Sequence, residues 1–167
     1  MVRTIFAGVA LLAAGLAAGF QIGVWSVERD ILAPVVSVRV SEAELGFQAR
    51  LDTGATVSSI NAHDIVVIGG GQRPATSDVG KTVRFVVVND AGEQRELTAR
   101  IEQVRGVRMA SCREVRYHVF LTVEHRGRAL RILTNLNDRS RAGDKLLLGR
   151  NWLHHGYAVG PVEEAEI

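Results

Sequence analysis

The stretch Ala49-Arg50-Leu51-Asp52-Thr53-Gly54-Ala55 sets a carboxylate directly after a strand-like run, next to a hydroxyl and a glycine. Glycine lets other backbone approach closely at such a turn, and an ionisable carboxyl held there is equipped to take or give a proton. The same residues also suit an Asx turn, in which the Asp52 side chain only caps the strand end. A second element lies far along the chain. Lys145-Leu146-Leu147-Leu148-Gly149-Arg150-Asn151-Trp152-Leu153 is an apolar run into a glycine, followed by residues compatible with a short helix.

Taken in this order, the two elements resemble the retropepsin family. In that family an apolar-Asp-Thr-Gly-Ala loop is braced by a later apolar-apolar-Gly-Arg-Asn element. Its glycine lies beneath the catalytic loop and its arginine heads a short helix. The resemblance runs from about residue 35 to residue 161. It is strongest with the bacterial retropepsin-like group that carries the name ATP-dependent zinc protease, through Asp52-Thr53-Gly54-Ala55, Ser58, Asn61-Ala62, Leu136-Asn137-Asp138-Arg139-Ser140 and Leu147-Leu148-Gly149-Arg150. Members of that group often carry Ser-Gly and Arg-Pro pairs where this chain has Ser111-Cys112 and Tyr117-His118.

The resemblance implies a mainly β, closed acid-protease barrel with one short C-terminal helix. It makes Asp52, Thr53 and Gly54 catalytic, with Ala55, Leu148, Gly149 and Arg150 as support. It also makes residues 106–116 a flap, in which Met109, Ala110, Ser111 and Cys112 approach substrate; an ordinary surface loop is the other reading of that segment. Amide hydrolysis by this chemistry needs two carboxyls sharing one proton across a water, because two like charges so close cannot both ionise. The chain has one Asp-Thr-Gly, and 149 − 52 = 97 residues separate Asp52 from Gly149, enough for a single lobe. The expected assembly is therefore a homodimer with both Asp52 side chains at its axis and Thr53 hydroxyls cross-bonded. The expected activity is that of an aspartic endopeptidase on peptides or proteins. A catalytically inactive dimerisation or peptide-binding module on the same fold is the alternative, since a fold does not fix a function.

Other patterns carry less. Residues 75–82 fit a relaxed phosphate-loop spacing, but a phosphate loop must leave a strand and open a helix, and here a strand-like run follows instead. The five histidines form no His-Glu-x-x-His and the chain has a single cysteine, so no metal or cofactor is expected. His154-His155 is expected to close the short helix after Gly149, where cationic imidazole suits the carboxyl end of the dipole. Ser58, Ser59 and Ser111 have no Gly-x-Ser-x-Gly frame that would activate them.

The elements that must position Asp52 read as strands. Val36, Val38 and Val40 alternate with polar residues, and further β-rich runs span Phe47 to Leu51, Val83 to Val88, Glu96 to Val104, Tyr117 to Val123 and Ala129 to Leu136. Asn89-Asp90-Ala91-Gly92 and His125-Arg126-Gly127-Arg128 read as hairpin turns. The glycine-rich stretch 69–80 reads as a loop, and the strands of 83–104 as an insertion with no assigned role. Arg105, Arg108, Arg113, Arg116, Arg126, Arg128 and Arg131 are expected to mark solvated faces. With 20 Lys and Arg against 18 Asp and Glu, the charge is nearly balanced and no nucleic-acid partner is expected.

Ahead of these strands, Ile5 to Trp25 is 25 − 5 + 1 = 21 residues without a charge, long enough as a helix to cross a bilayer. The expectation is an N-terminal transmembrane helix and connector over residues 1–33, a peptidase domain over 34–162 and an acidic tail over 163–167. The anchor would sit in the inner membrane as a single pass, with the domain on the periplasmic or extracytoplasmic side. Ala17-Ala18-Gly19 leaves a cleaved signal and a periplasmic product as the alternative.

Overall fold

The computed structural model describes residues 29–71, 73–108 and 113–161. The expected membrane helix, the flap-tip residues Met109, Ala110, Ser111 and Cys112, and the acidic tail fall outside these residues. Among the described residues no helix is long and apolar enough to cross a membrane.

The alternating valines of β2 (Val35–Val40) behave as a strand covered on one face: Val36, Val38 and Val40 are buried while Ser37 and Arg39 are exposed. β3 (Leu45–Leu51) repeats the pattern and buries Leu45, Phe47, Ala49 and Leu51. These strands pair antiparallel, and β2 continues to β8 (Arg113–His125), which pairs with β9 (Arg128–Asn137). β9 lies parallel to β4 (Ser58–Val67). The short β10 (Leu146–Leu148) then runs parallel to β3 on one side and antiparallel to β4 on the other. That double pairing joins the ends of the row β10-β3-β2-β8-β9-β4 and closes a six-stranded barrel. α1 (Arg150–Leu153) covers one part of it, with Trp152 fully buried and stacked on Tyr157 at 4.2 Å. Tyr157 belongs to β11 (Tyr157–Val159), which pairs parallel with β1 (Asp30–Leu32) in a separate two-stranded sheet.

The turn residues do what their chemistry requires. Arg126 and Gly127 adopt φ of 49° and 80°, the left-handed pair of a tight hairpin joining β8 to β9. Asn89 is buried in the turn between β5 (Thr82–Val88) and β6 (Gln94–Arg100), and its Oδ1 accepts from Ala91 N and Glu93 N. His154 N donates to Arg150 O at 2.9 Å, so this histidine does end the short helix.

One expectation needs correction, and two features go beyond the expected elements. The run from Glu96 to Val104 is two strands, β6 and β7 (Gln103–Arg108). The chain crosses at Ile101 and Glu102, whose amides donate to Lys81 O, just ahead of β5, and to His118 O of β8. No glycine or proline marks that bend, so propensity carried the reading straight through it. β4 was missed because Ser58, Ser59, Asn61, His63 and Asp64 read as polar; the barrel buries the first three by giving them partners. The glycine-rich loop 69–80 is pinned down. It holds a 3₁₀ turn at Thr76–Asp78, and buried Asp78 accepts from Tyr117 Oη at 2.7 Å and from Lys81 Nζ at 2.8 Å. Lys81, the lysine of the phosphate-loop spacing, is thus engaged in an ion pair.

Candidate active site

Asp52 leaves the end of β3, where its amide donates to Leu148 O of β10 at 2.9 Å. Its Oδ1 accepts from Gly54 N at 2.8 Å and Ala55 N at 3.1 Å. The Asx turn is therefore present, and it fixes the direction of the carboxyl. Asp52 is half-buried, while Thr53 and Gly54 are exposed.

The loop rests on the second element. A Cβ on Gly149 would come within 2.9 Å of Ala55 O and 3.0 Å of Val57 C, so only glycine fits without displacing the loop. Arg150 N donates to Ala55 O at 2.8 Å. The Arg150 guanidinium reaches further: Nη1 donates to Thr53 O at 2.9 Å and Gly54 O at 3.0 Å, and Nη2 to Thr56 Oγ1 at 2.7 Å. Asn151 Oδ1 accepts from both N and Oγ of Ser58, and its Nδ2 donates to Leu133 O at 2.7 Å. Asp52, Thr53, Gly54, Ala55, Leu148, Gly149 and Arg150 are thus brought together into one hydrogen-bonded unit.

A cavity of about 500 Å³ opens beside this loop, lined by Gly54, Ala55, Thr56 and Val57, by Ser59 and Asn135, and by Arg105, Gly106, Arg116, His118, Arg139 and Leu147. The β7–β8 hairpin forms one wall, with Arg105 directly opposite Arg116. These are the arms of the expected flap. The cationic lining departs from the solvated faces expected for these arginines: Arg116 is 8% exposed, its Nη1 donates to Asn135 Oδ1 at 3.4 Å, and its Nε and Nη2 donate to Glu114 Oε2. Arg116 and His118 sit two apart on one strand and so share a face; that spacing, set against Arg105 on the paired strand, was the available signal.

Burial is the main cause that pushes the His118 imidazole below its usual value, and the nearby Arg105 and Arg116 charges act the same way. Burial also lowers Arg139, opposed by the carboxylates of Asp144 and Asp52. The cleft beside the Asp52 loop thus carries three guanidinium groups in its lining, those of Arg105, Arg116 and Arg139. Among the described residues no group of three His, Cys, Asp or Glu side chains could hold a metal ion.

Protein Lpg0085 of Legionella pneumophila subsp. pneumophila str. Philadelphia 1, of unknown function (DUF785), is similar in structure with a TM-score of 0.62 and 26% identity, covering 79% of this chain and 93% of that one. The EIAV protease complexed with the inhibitor HBY-793 aligns with a TM-score of 0.46 and 17% identity, covering 78% of this chain and 94% of that one. No curated protein matches the chain. The RimB-like family, described as retropepsin-like aspartic endopeptidase RimB, matches residues 35–166, and the chain belongs to that family.

Proposed function

We propose that two copies of this chain meet at their Asp52 loops and hydrolyse peptide bonds with a water activated between the two carboxyls. The observation that carries this reading is the construction of the loop. Its backbone is held from beneath by Gly149 and Arg150, and the amides of Gly54 and Ala55 aim the carboxyl, while Thr53 and Gly54 face outward where a second copy would meet them. One Asp52 removes the proton from water and the other supplies one to the carbonyl oxygen. A single chain brings only one such group to the site, which supports pairing.

The cleft supports a substrate class as well. Arg105 and Arg139 beside the Asp52 loop favour peptides with acidic side chains, since guanidinium binds carboxylate in a two-pronged geometry. The uncharged stretch from Ile5 to Trp25 supports a membrane-anchored enzyme working on the extracytoplasmic side.

The test is cleavage of a mixed peptide library by the full-length protein and by Asp52→Asn. Cuts clustered among Asp and Glu residues, absent in Asp52→Asn and weakened in Arg139→Gln, are the expected result. Equal cutting of lysine-rich peptides would remove the acidic preference, and cleavage that survives in Asp52→Asn would remove the mechanism.

A further inference from the structure

Strand β9 stops at Asn137, but both of its neighbours run on. β4 continues from Ala62 to Val67, and β8 extends back from Tyr117 towards Arg113. The other edges of these extensions are taken: β4 pairs there with β5, and β8 with β7. After Asn137 the chain turns away, with Arg139 N donating to Asn61 Oδ1 at 2.8 Å and Ser140 N to Asp138 Oδ1 at 2.9 Å. Two strand edges therefore face each other across the place that β9 has vacated, with no strand between them among the described residues.

This vacancy is a groove of about 730 Å³. Strands two places apart in a sheet are separated by about 9.5 Å, the room that one strand needs. Its lining supplies apolar surface from Leu136 and from Val66 and Val115, which are 48% and 43% exposed. Around it stand three carboxylates, Asp64, Glu114 and Asp138, against the Arg116 guanidinium, which pairs with Glu114 at 2.6 Å, and the His63 imidazole, whose Nδ1 lies 3.0 Å from Asp64 Oδ2. The β4 wall is bulged: its register with β5 shifts between His63 and Val66, and Asp64 adopts φ of 50°. Bulges of this kind re-aim side chains next to functional sites.

We infer that this groove binds an extended segment of another polypeptide as an added strand between β4 and β8, one in which apolar residues alternate with basic ones. Open edges supply main-chain hydrogen bonds and alternate pockets supply selectivity, as in other strand-addition sites. The sign of the charge selects the occupant: the chain's own tail, with Glu163, Glu164 and Glu166, carries the wrong one. The site is separate from the Asp52 cleft, with which it shares Arg116 alone. It goes beyond the proposed activity and does not depend on it.

The test is fluorescence polarisation of a labelled five-residue peptide of alternating valine and lysine, titrated with full-length protein bearing Asp52→Asn so that cleavage cannot interfere. Saturable binding is expected. It should weaken at least tenfold when glutamate replaces lysine, when alternate peptide amides are N-methylated, and in the protein variant Asp64→Asn/Val115→Thr. Asparagine retains a tolerance for left-handed backbone and threonine a preference for strands, so that variant should keep its folded circular dichroism spectrum. Absence of saturable binding, or binding indifferent to N-methylation or to the variant, would overturn the proposal. Self-association abolished by the same variant would overturn it too, assigning the groove to a second copy.

Discussion

Asp52 gives one oxygen to its own loop, and this division decides how the residue should respond to change. Asparagine keeps an oxygen acceptor for Gly54 N and Ala55 N but cannot ionise or donate as an acid. Asp52→Asn should therefore unfold within about 0.5 kcal/mol of wild type while cleavage falls by roughly 10²–10⁴-fold, measured by thermal unfolding alongside peptide hydrolysis. Gly149→Ala should do the opposite kind of damage. The added methyl presses on Ala55 O and Val57, so a stability loss of about 1–3 kcal/mol is expected in denaturant unfolding, together with lost activity. Arg150→Lys keeps the charge but cannot reach Thr53 O, Gly54 O and Thr56 Oγ1 at once. Its kcat should fall roughly ten- to a hundredfold from misplacement of the loop, and an unchanged kcat would deny Arg150 a positioning role. Asp52, Gly149 and Arg150 were legible in the sequence because each sits in a short local pattern. For Arg105, Arg116 and His118 only the two-residue spacing on β8 was legible; their convergence on the cleft depends on the register between β7 and β8.

The elements show the same division between local and non-local information. The hairpin turns at Asn89 and at Arg126-Gly127 announced themselves, because left-handed or side-chain-capped turns demand particular residues. β4 did not, because its polar first half becomes strand only when Asn135, Asn151 and β10 satisfy it. Asp78 makes a comparable long-range tie, joining loop 69–80 to β8 through Tyr117. Hydrogen bonds from Lys81 and then Tyr117 pull its carboxyl down to about 2, against an ordinary value of 3.8. A depressed carboxylate stabilises the fold above its unfolded pKa, and that stability is lost as pH falls through the folded one. Asp78→Asn should therefore lower the melting temperature most at neutral pH, with the gap to wild type closing between about pH 4 and pH 2. Tyr117 is pushed up to about 12, first by burial and then by Asp78. Its share of stability should disappear as pH rises from the ordinary 10 through that value. A gap independent of pH would mean that Asp78 acts by shape alone.

At the scale of the whole molecule, the barrel closes through β10, three residues long and paired on both sides. The same strand carries Leu148 to the Asp52 amide, so closure and site assembly are one event. A site with one carboxyl per chain has a stoichiometric consequence. Sedimentation of active protein should show a dimer that dissociates on dilution in step with loss of cleavage. The most direct measurement follows from this: wild type and Asp52→Asn are unfolded together, refolded at equal amounts so that chains mix, and assayed for cleavage. If both carboxyls of the dyad come from different copies, only wild-type pairs work, and activity should fall to about a quarter of that of an all-wild-type sample. Activity of about one half, in proportion to the wild-type chains, would contradict a shared site and show that each Asp52 acts without its twin.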